Sequence, residues 1–187
     1  METVEHPRRP VRLDADGGLE PHPLAKGANC VVWFPVPDAV EGGGGPEAEG
    51  VPAVRLDGDR ARLVGIPYFP YHVALGDEVQ VREQDSALYC VEVVVAAPEL
   101  TVRIFDSDGE VSTEQALADP QSDEPFWRVA RALAAHGVYF ERYSSGYAAL
   151  SIDPAEWEYV HPFLDLQSRA TGVQWELATP MRALPSH

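Results

Sequence analysis

The first sustained apolar run in the chain is Cys30-Val31-Val32-Trp33-Phe34, whose β-branched and aromatic residues suit a buried strand. A meander is expected after it. Val54–Leu56 and Arg60–Val64 flank Asp57-Gly58, a strong short-range hairpin signal. Glu78–Arg82 and Leu88–Ala96 flank a polar turn at Gln84, Asp85 and Ser86, and Leu100–Phe105 is a further apolar strand. In the strand from Glu78, Val79 and Val81 share one face while Glu78, Gln80 and Arg82 share the other, so one side of it is wet.

Beyond this point the period lengthens. Asp123 is placed to cap free amides, Pro125 suits an early helical position, and Phe126, Ala130, Leu133 and Ala134 fall on one helical face that Gly137 terminates. Val138–Tyr143 and Tyr147–Ile152 read as a hairpin about Ser144-Ser145-Gly146. Asp153-Pro154-Ala155-Glu156 has the order of a capping box and opens a second helix. Pro162 removes a backbone donor, which predicts a break near His161 and a restart to Arg169. Gly172 ends that helix, and Val173, Trp175 and Leu177 alternate with Gln174 and Glu176 as a closing strand.

These elements predict an α+β fold: a small antiparallel β-barrel-like module over residues 29–105, then a ferredoxin-like βαββαβ module over residues 125–179 that borrows strand 100–105. The same strand could instead close the meander, fusing the modules through a shared element. Residues 1–28, rich in proline and without an apolar period, read as a flexible arm, and residues 180–187 as a tail. Glu41–Gly50, with four glycines in succession, reads as a flexible loop.

Composition narrows the function. With 45% hydrophobic residues in 187, the chain packs a core rather than remaining disordered. Fourteen Lys and Arg against 30 Asp and Glu give a formal charge of −16, a field that repels phosphate backbones and anionic lipid. Nucleic-acid and membrane-surface roles are therefore disfavoured. The clustered Arg8, Arg9 and Arg12 lie in the Pro-rich start and read as part of a mobile tail. No window approaches the roughly 18 consecutive apolar residues of a membrane span, and no apolar leader is visible, so a cytoplasmic protein is expected. Lys26 is the only lysine among the 14 basic residues, a usage like that of a high-GC bacterium. Cys30 and Cys90 each sit in a strand-like run and read as reduced core thiols.

Gly65-Ile66-Pro67-Tyr68-Phe69, followed by Ala74-Leu75-Gly76-Asp77-Glu78-Val79, resembles the DUF4265 family of bacterial proteins in its Ile-Pro-aromatic-aromatic segment and Gly-Asp-x-Val turn. The similarity runs over about residues 29–178. Ala97-Pro98-Glu99-Leu100 departs from the small polar run that the family carries after its Val-Val strand. The resemblance implies no known chemistry.

Candidate chemistry is sparse. Tyr68, Phe69, Tyr71 and His72 make the densest amphipathic cluster, placed either to line a ligand groove or to cover the open end of a small barrel. Asp77 fits a carboxylate tying backbone amides in a glycine turn, with a general base as the alternative. The six histidines and two cysteines show no local ligand pair, so neither metal nor cofactor is expected. Cys90 with His72 would make a nucleophile pair only if the thiol left the strand interior. The stretch 106–124 carries Asp106, Asp108, Glu110, Glu114, Asp119, Asp123 and Glu124 with no cation, and reads as a solvated acidic linker or, with Trp127 beyond it, as a docking surface for a basic protein. Trp127 and Trp157 serve either as partner anchors or as packing between modules. The expected function is thus a non-catalytic binding or regulatory protein of the bacterial cytoplasm acting through a protein partner, a basic one on grounds of charge. The alternative is a small enzyme, or an accessory protein of a biosynthetic pathway, with a ligand pocket between the modules near Tyr71, His72 and Asp77.

Overall fold

In the computed structural model, residues 3–6, 9–16, 18–36, 46–106, 125–144 and 146–179 are described. Twelve strands are found among them: β1 (Thr3–Glu5), β2 (Val11–Leu13), β3 (Leu19–Pro21), β4 (Cys30–Pro35), β5 (Ala48–Arg55), β6 (Arg60–Leu63), β7 (Glu78–Gln84), β8 (Ala87–Val95), β9 (Leu100–Asp106), β10 (Tyr139–Ser144), β11 (Tyr147–Ile152) and β12 (Val173–Leu177). Two α-helices are described with them, α1 (Pro125–Ala135) and α2 (Trp157–Thr171).

The first sheet closes on itself. Its order is β5-β4-β8-β7-β6, and β6 pairs back onto β5, making a five-stranded barrel. Closure depends on β5 using one edge twice: Thr3–Glu5 of β1 pair with Ala48–Gly50 in parallel, and Leu63–Ala61 of β6 pair with Ala53–Arg55. Pro52 falls in the gap between those partners, where its missing N–H breaks no ladder, and its carbonyl accepts from Val64 and Gly65. The β7–β8 turn places Asp85 and Ser86 at φ 51° and 65°, the left-handed pair a two-residue hairpin loop requires. Val32, Phe34, Val51, Leu63, Val79 and Val81 fill the barrel.

The second sheet has the order β12-β9-β11-β10-β2-β3. Its pairings are antiparallel throughout. Strand alternation divides its side chains cleanly. Val102 and Ile104, with Leu150 and Ile152, pack under Phe126 and Val129 of α1 and Val160 and Leu164 of α2. Thr101, Arg103, Glu141 and Ser151 take the alternate positions and are buried as well. What covers that polar side is the connection between β6 and β7, whose Ile66, Tyr68 and Leu75 pack with Ala149 as a third cluster. The connection therefore lies between barrel and sheet.

Four expectations are corrected here. The barrel is not wholly antiparallel, because Val32 and Trp33 of β4 pair with Leu88 and Tyr89 of β8 in parallel, the long connection through β5, β6 and β7 allowing the same-direction return. The described part of residues 1–28 is no loose arm: β1 extends the barrel, and β2–β3 form a hairpin that joins the second sheet through Val11 and Phe140. Short strands with proline between them escape a periodicity reading because their partners lie far along the chain. Ala48–Gly50, expected in a flexible loop, open β5 instead. Helix α2 runs unbroken through Pro162. The residue four places back, Glu158, is exposed as Pro162 is, so the carbonyl that loses its donor lies on the solvent side of the helix, where water can serve it. Strand β9 stands in the second sheet, which settles where the shared element belongs. The acidic stretch after Asp106, with Asp108, Glu110, Glu114 and the expected cap Asp123, and the tail 180–187 lie outside the described residues.

Candidate functional site

Along β10, Tyr139, Glu141 and Tyr143 share one face, a carboxylate between two aromatics, and of the three it is Glu141 that is buried. Such a charge needs a partner, because an unpaired buried carboxylate is strongly disfavoured. The partner is His6. Its Nδ1 lies 2.6 Å from Glu141 Oε1, and its Nε2 lies 2.7 Å from Glu49 Oε1 in β5. All three side chains are wholly enclosed. The imidazole also stacks on the Tyr68 ring, with centroids 4.2 Å apart and planes 12° from parallel.

The two carboxylates are held by backbone amides as well. Tyr68 N donates to Glu49 Oε1 at 2.7 Å, Phe69 N to Glu49 Oε2 at 2.8 Å, and Ile66 N to Glu141 Oε2 at 2.9 Å. The Ile-Pro-Tyr-Phe segment thus clasps one glutamate from the barrel and one from the second sheet. Gly65 permits the approach, since a Cβ there would stand 2.8 Å from Pro52 Cδ and 3.2 Å from His6 Nδ1. Burial alone would push the imidazole toward its neutral form. The hydrogen bonds and charges of Glu141 and Glu49 outweigh that and raise His6 from 6.5 to about 9, so it is an imidazolium at neutral pH. Burial, reinforced by the same two carboxylates, drives the Tyr68 hydroxyl well above its ordinary range, and it donates to Arg142 O at 3.0 Å. The nitrogens and carboxylate oxygens point at one another rather than at a common centre, which is the geometry of an ion cluster and not of a metal site.

A second buried charge stands further along the sheet. Arg103 in β9 donates to Glu176 Oε1 at 2.8 Å and to Pro70 O at 2.7 Å, and its guanidinium lies 4.4 Å from the Tyr71 ring. Beside it opens a cleft of about 450 Å³ lined by Phe105, Asp106, Tyr143, Gly146, Tyr147 and Glu176. Phe69 stacks on Tyr147 at 5.7 Å and meets Tyr143 edge-on at 5.0 Å, so the cleft floor continues the aromatic segment that clasps the glutamates. The Tyr147 hydroxyl is spent on Tyr68 O at 2.6 Å, which presents its ring rather than its oxygen. Arg103 matches the charge of Glu176, and Asp106 also lines the cleft.

The residues singled out from sequence are not gathered into one pocket. Tyr68 is enclosed in the clasp, and the half-exposed Tyr71 donates to Glu176 Oε2 at 3.0 Å. His72 is exposed at φ 65°, with its amide on Ala178 O. Asp77 is buried and accepts from Ala74 N at 2.9 Å and Ala97 N at 2.7 Å, the turn-forming role rather than the general base. Asp77 is thus tied to two backbone amides, while His72 stands on the surface. Asp106 lines the cleft, whereas Trp127 packs on the helix side of the sheet, with the Arg142 guanidinium 5.3 Å from its ring. Asp108, Glu110 and Glu114 lie outside the described residues. Cys30 and Cys90 are free thiols, not joined in a disulfide, and burial pushes the Cys90 thiol up to about 11, which disfavours the thiolate at neutral pH. His6, Glu49 and Glu141 escaped the sequence reading. The available signal was the carboxylate on an apolar strand face.

Three comparisons bear on this geometry. The chain matches the family described as "Domain of unknown function (DUF4265)" over residues 49–175. No curated protein matches it. A solved structure described as "Novel crystal structure of a hypothetical protein from Neisseria gonorrhoeae" is similar with a TM-score of 0.58 and 16% identity, over 80% of this chain and 92% of that one. That likeness is one of fold. The protein belongs to the DUF4265 family.

Proposed function

We propose that this member of the DUF4265 family is a non-catalytic binding protein of the bacterial cytoplasm that engages a positively charged protein partner through the cleft at the β10–β11 hairpin. The observation that carries the reading is the cleft's composition: the rings of Phe105, Tyr143 and Tyr147 beside Asp106 and Glu176. Aromatic faces and a carboxylate together favour a cationic side chain over a neutral or anionic one. A formal charge of −16 adds long-range attraction for the same class of partner. The sheet order β12-β9-β11-β10, with α1 and α2 on one side, supports reading the second half as a ferredoxin-like unit widened by β2 and β3. Folds of that kind hold many functions, so the reading rests on the cleft.

Titration of the 187-residue chain with an arginine-rich peptide, beside a glutamate-rich control, tests it. Binding of the cationic peptide alone, weakening with salt and falling about fivefold in Tyr143→Ala, is expected, as loss of about 1 kcal/mol of cation–aromatic contact implies. Equal binding by the wild type and by Tyr143→Ala and Asp106→Asn variants sets the reading aside.

A further inference from the structure

We propose that Glu49, Glu141 and the Tyr68 ring form a binding pocket for a planar nitrogen cation, imidazolium or guanidinium, and that His6 is an internal ligand carried into it on a short detachable strand. The pocket is distinct from the aromatic cleft and its argument is independent of that reading.

The pocket is built without the histidine. Glu49 takes the amides of Tyr68 and Phe69, and Glu141 takes the amide of Ile66, so both carboxylates stay aimed when the ring is withdrawn. Both carboxylates and the aromatic floor lie within the family-matched residues 49–175, while His6 lies outside them. What the pocket reads is specific: one N–H donor toward each of two carboxylates on opposite sides, and a flat face against tyrosine at 4.2 Å. Imidazolium and guanidinium offer both features, whereas an ammonium offers no flat face.

The histidine is lightly tethered. It follows β1, whose Thr3–Glu5 make only a three-residue parallel pairing with β5 and are half-exposed or exposed. A cleft of about 220 Å³ lined by His6, Arg9, Pro10, Ala25, Pro52 and Val64 lies beside the end of β1, and because the imidazole itself is wholly enclosed, a small cation reaches its position only once that strand lifts. The charged and titratable groups around the ring are Glu49 from β5, Glu141 from β10, the Tyr68 phenol from the β6–β7 connection, and Arg9 on the wall of the cleft. The two carboxylates outnumber the imidazolium within the cluster, so its charge favours a cation over a neutral or anionic ligand.

Replacing the internal ligand in the 187-residue chain tests the proposal. His6→Gly should melt below the wild type, and millimolar imidazole at neutral pH should raise its Tm by roughly 5 °C, since a ligand that binds only the folded state stabilises it by mass action. The wild type, its pocket filled, should not respond. 1,3-Dimethylimidazolium, a flat cation without N–H donors, should stabilise neither, and adding Glu141→Gln to His6→Gly should abolish the response to imidazole. A His6→Gly chain that melts identically with and without imidazole, or stays unfolded in its presence, overturns the proposal. So does a nitrogen NMR spectrum of the wild type showing the His6 ring neutral at pH 7.

Discussion

Glu141 accepts from the imidazole of His6 at 2.6 Å across 135 positions of sequence. The contact closes a charge cluster that spans both sheets, because the other ring nitrogen reaches Glu49 of the barrel.

Stability should fall as the medium becomes alkaline. The folded-state value of His6 is raised from 6.5 to about 9, so its contribution is complete below about pH 6.5, declines between 6.5 and 9, and is absent above. A shift of that size corresponds to about 3 kcal/mol. Urea unfolding at pH 6 and at pH 9.5 measures it, and His6→Gln should flatten the slope. An identical slope in the variant would show that other groups carry the pH dependence.

Removing one member of the cluster should hurt far more than removing a surface pair. Glu141→Ala leaves an enclosed imidazolium short of one partner and the Ile66 amide without its acceptor, at a cost of about 3–5 kcal/mol. Glu20→Ala breaks the Arg12–Glu20 pair, where both side chains are substantially exposed, and should change stability by less than about 1 kcal/mol. Paired chemical denaturation curves of the two variants decide the matter.

Gly65→Ala tests how tightly the clasp is fitted. The added Cβ would meet Pro52 Cδ at 2.8 Å, with the imidazole at 3.2 Å behind it. A loss of about 1–3 kcal/mol is expected, as for overpacking, together with a shift of the His6 ring resonances. Unchanged resonances would place the strain elsewhere.

Pro162→Ala should stabilise the protein. The position lies inside α2 on its exposed face, so alanine restores a helical donor without disturbing packing. The gain should approach the difference in helix propensity, up to about 3 kcal/mol, read as a rise in Tm.

Much of the second half was legible because its signals are local. The alternation of Val173, Trp175 and Leu177 against Gln174 and Glu176, the glycine stops at 137 and 172, and the helical face of Phe126, Ala130 and Leu133 each report an element from within a few residues. Asp77 was legible for the same reason, as a turn carboxylate beside a glycine. The amino-terminal strands were not, since three-residue strands acquire their meaning from β5 and β10. The glutamate pair was half-visible: Glu141 sits in phase with Tyr139 and Tyr143, which marks it as a buried charge, but nothing local shows that its counterion is a histidine beside a proline near the chain start.

The triad draws its members from β5, from β10 and from the residue after β1, and the Ile66–Phe69 segment must be seated between the sheets before the glutamates face each other. Closing it is therefore expected late on the folding path, after each sheet has formed and the two have docked. Its replacement by a neutral, well-fitted side chain should leave the refolding rate almost unchanged and quicken unfolding, so the cluster acts mainly on the lifetime of the native state.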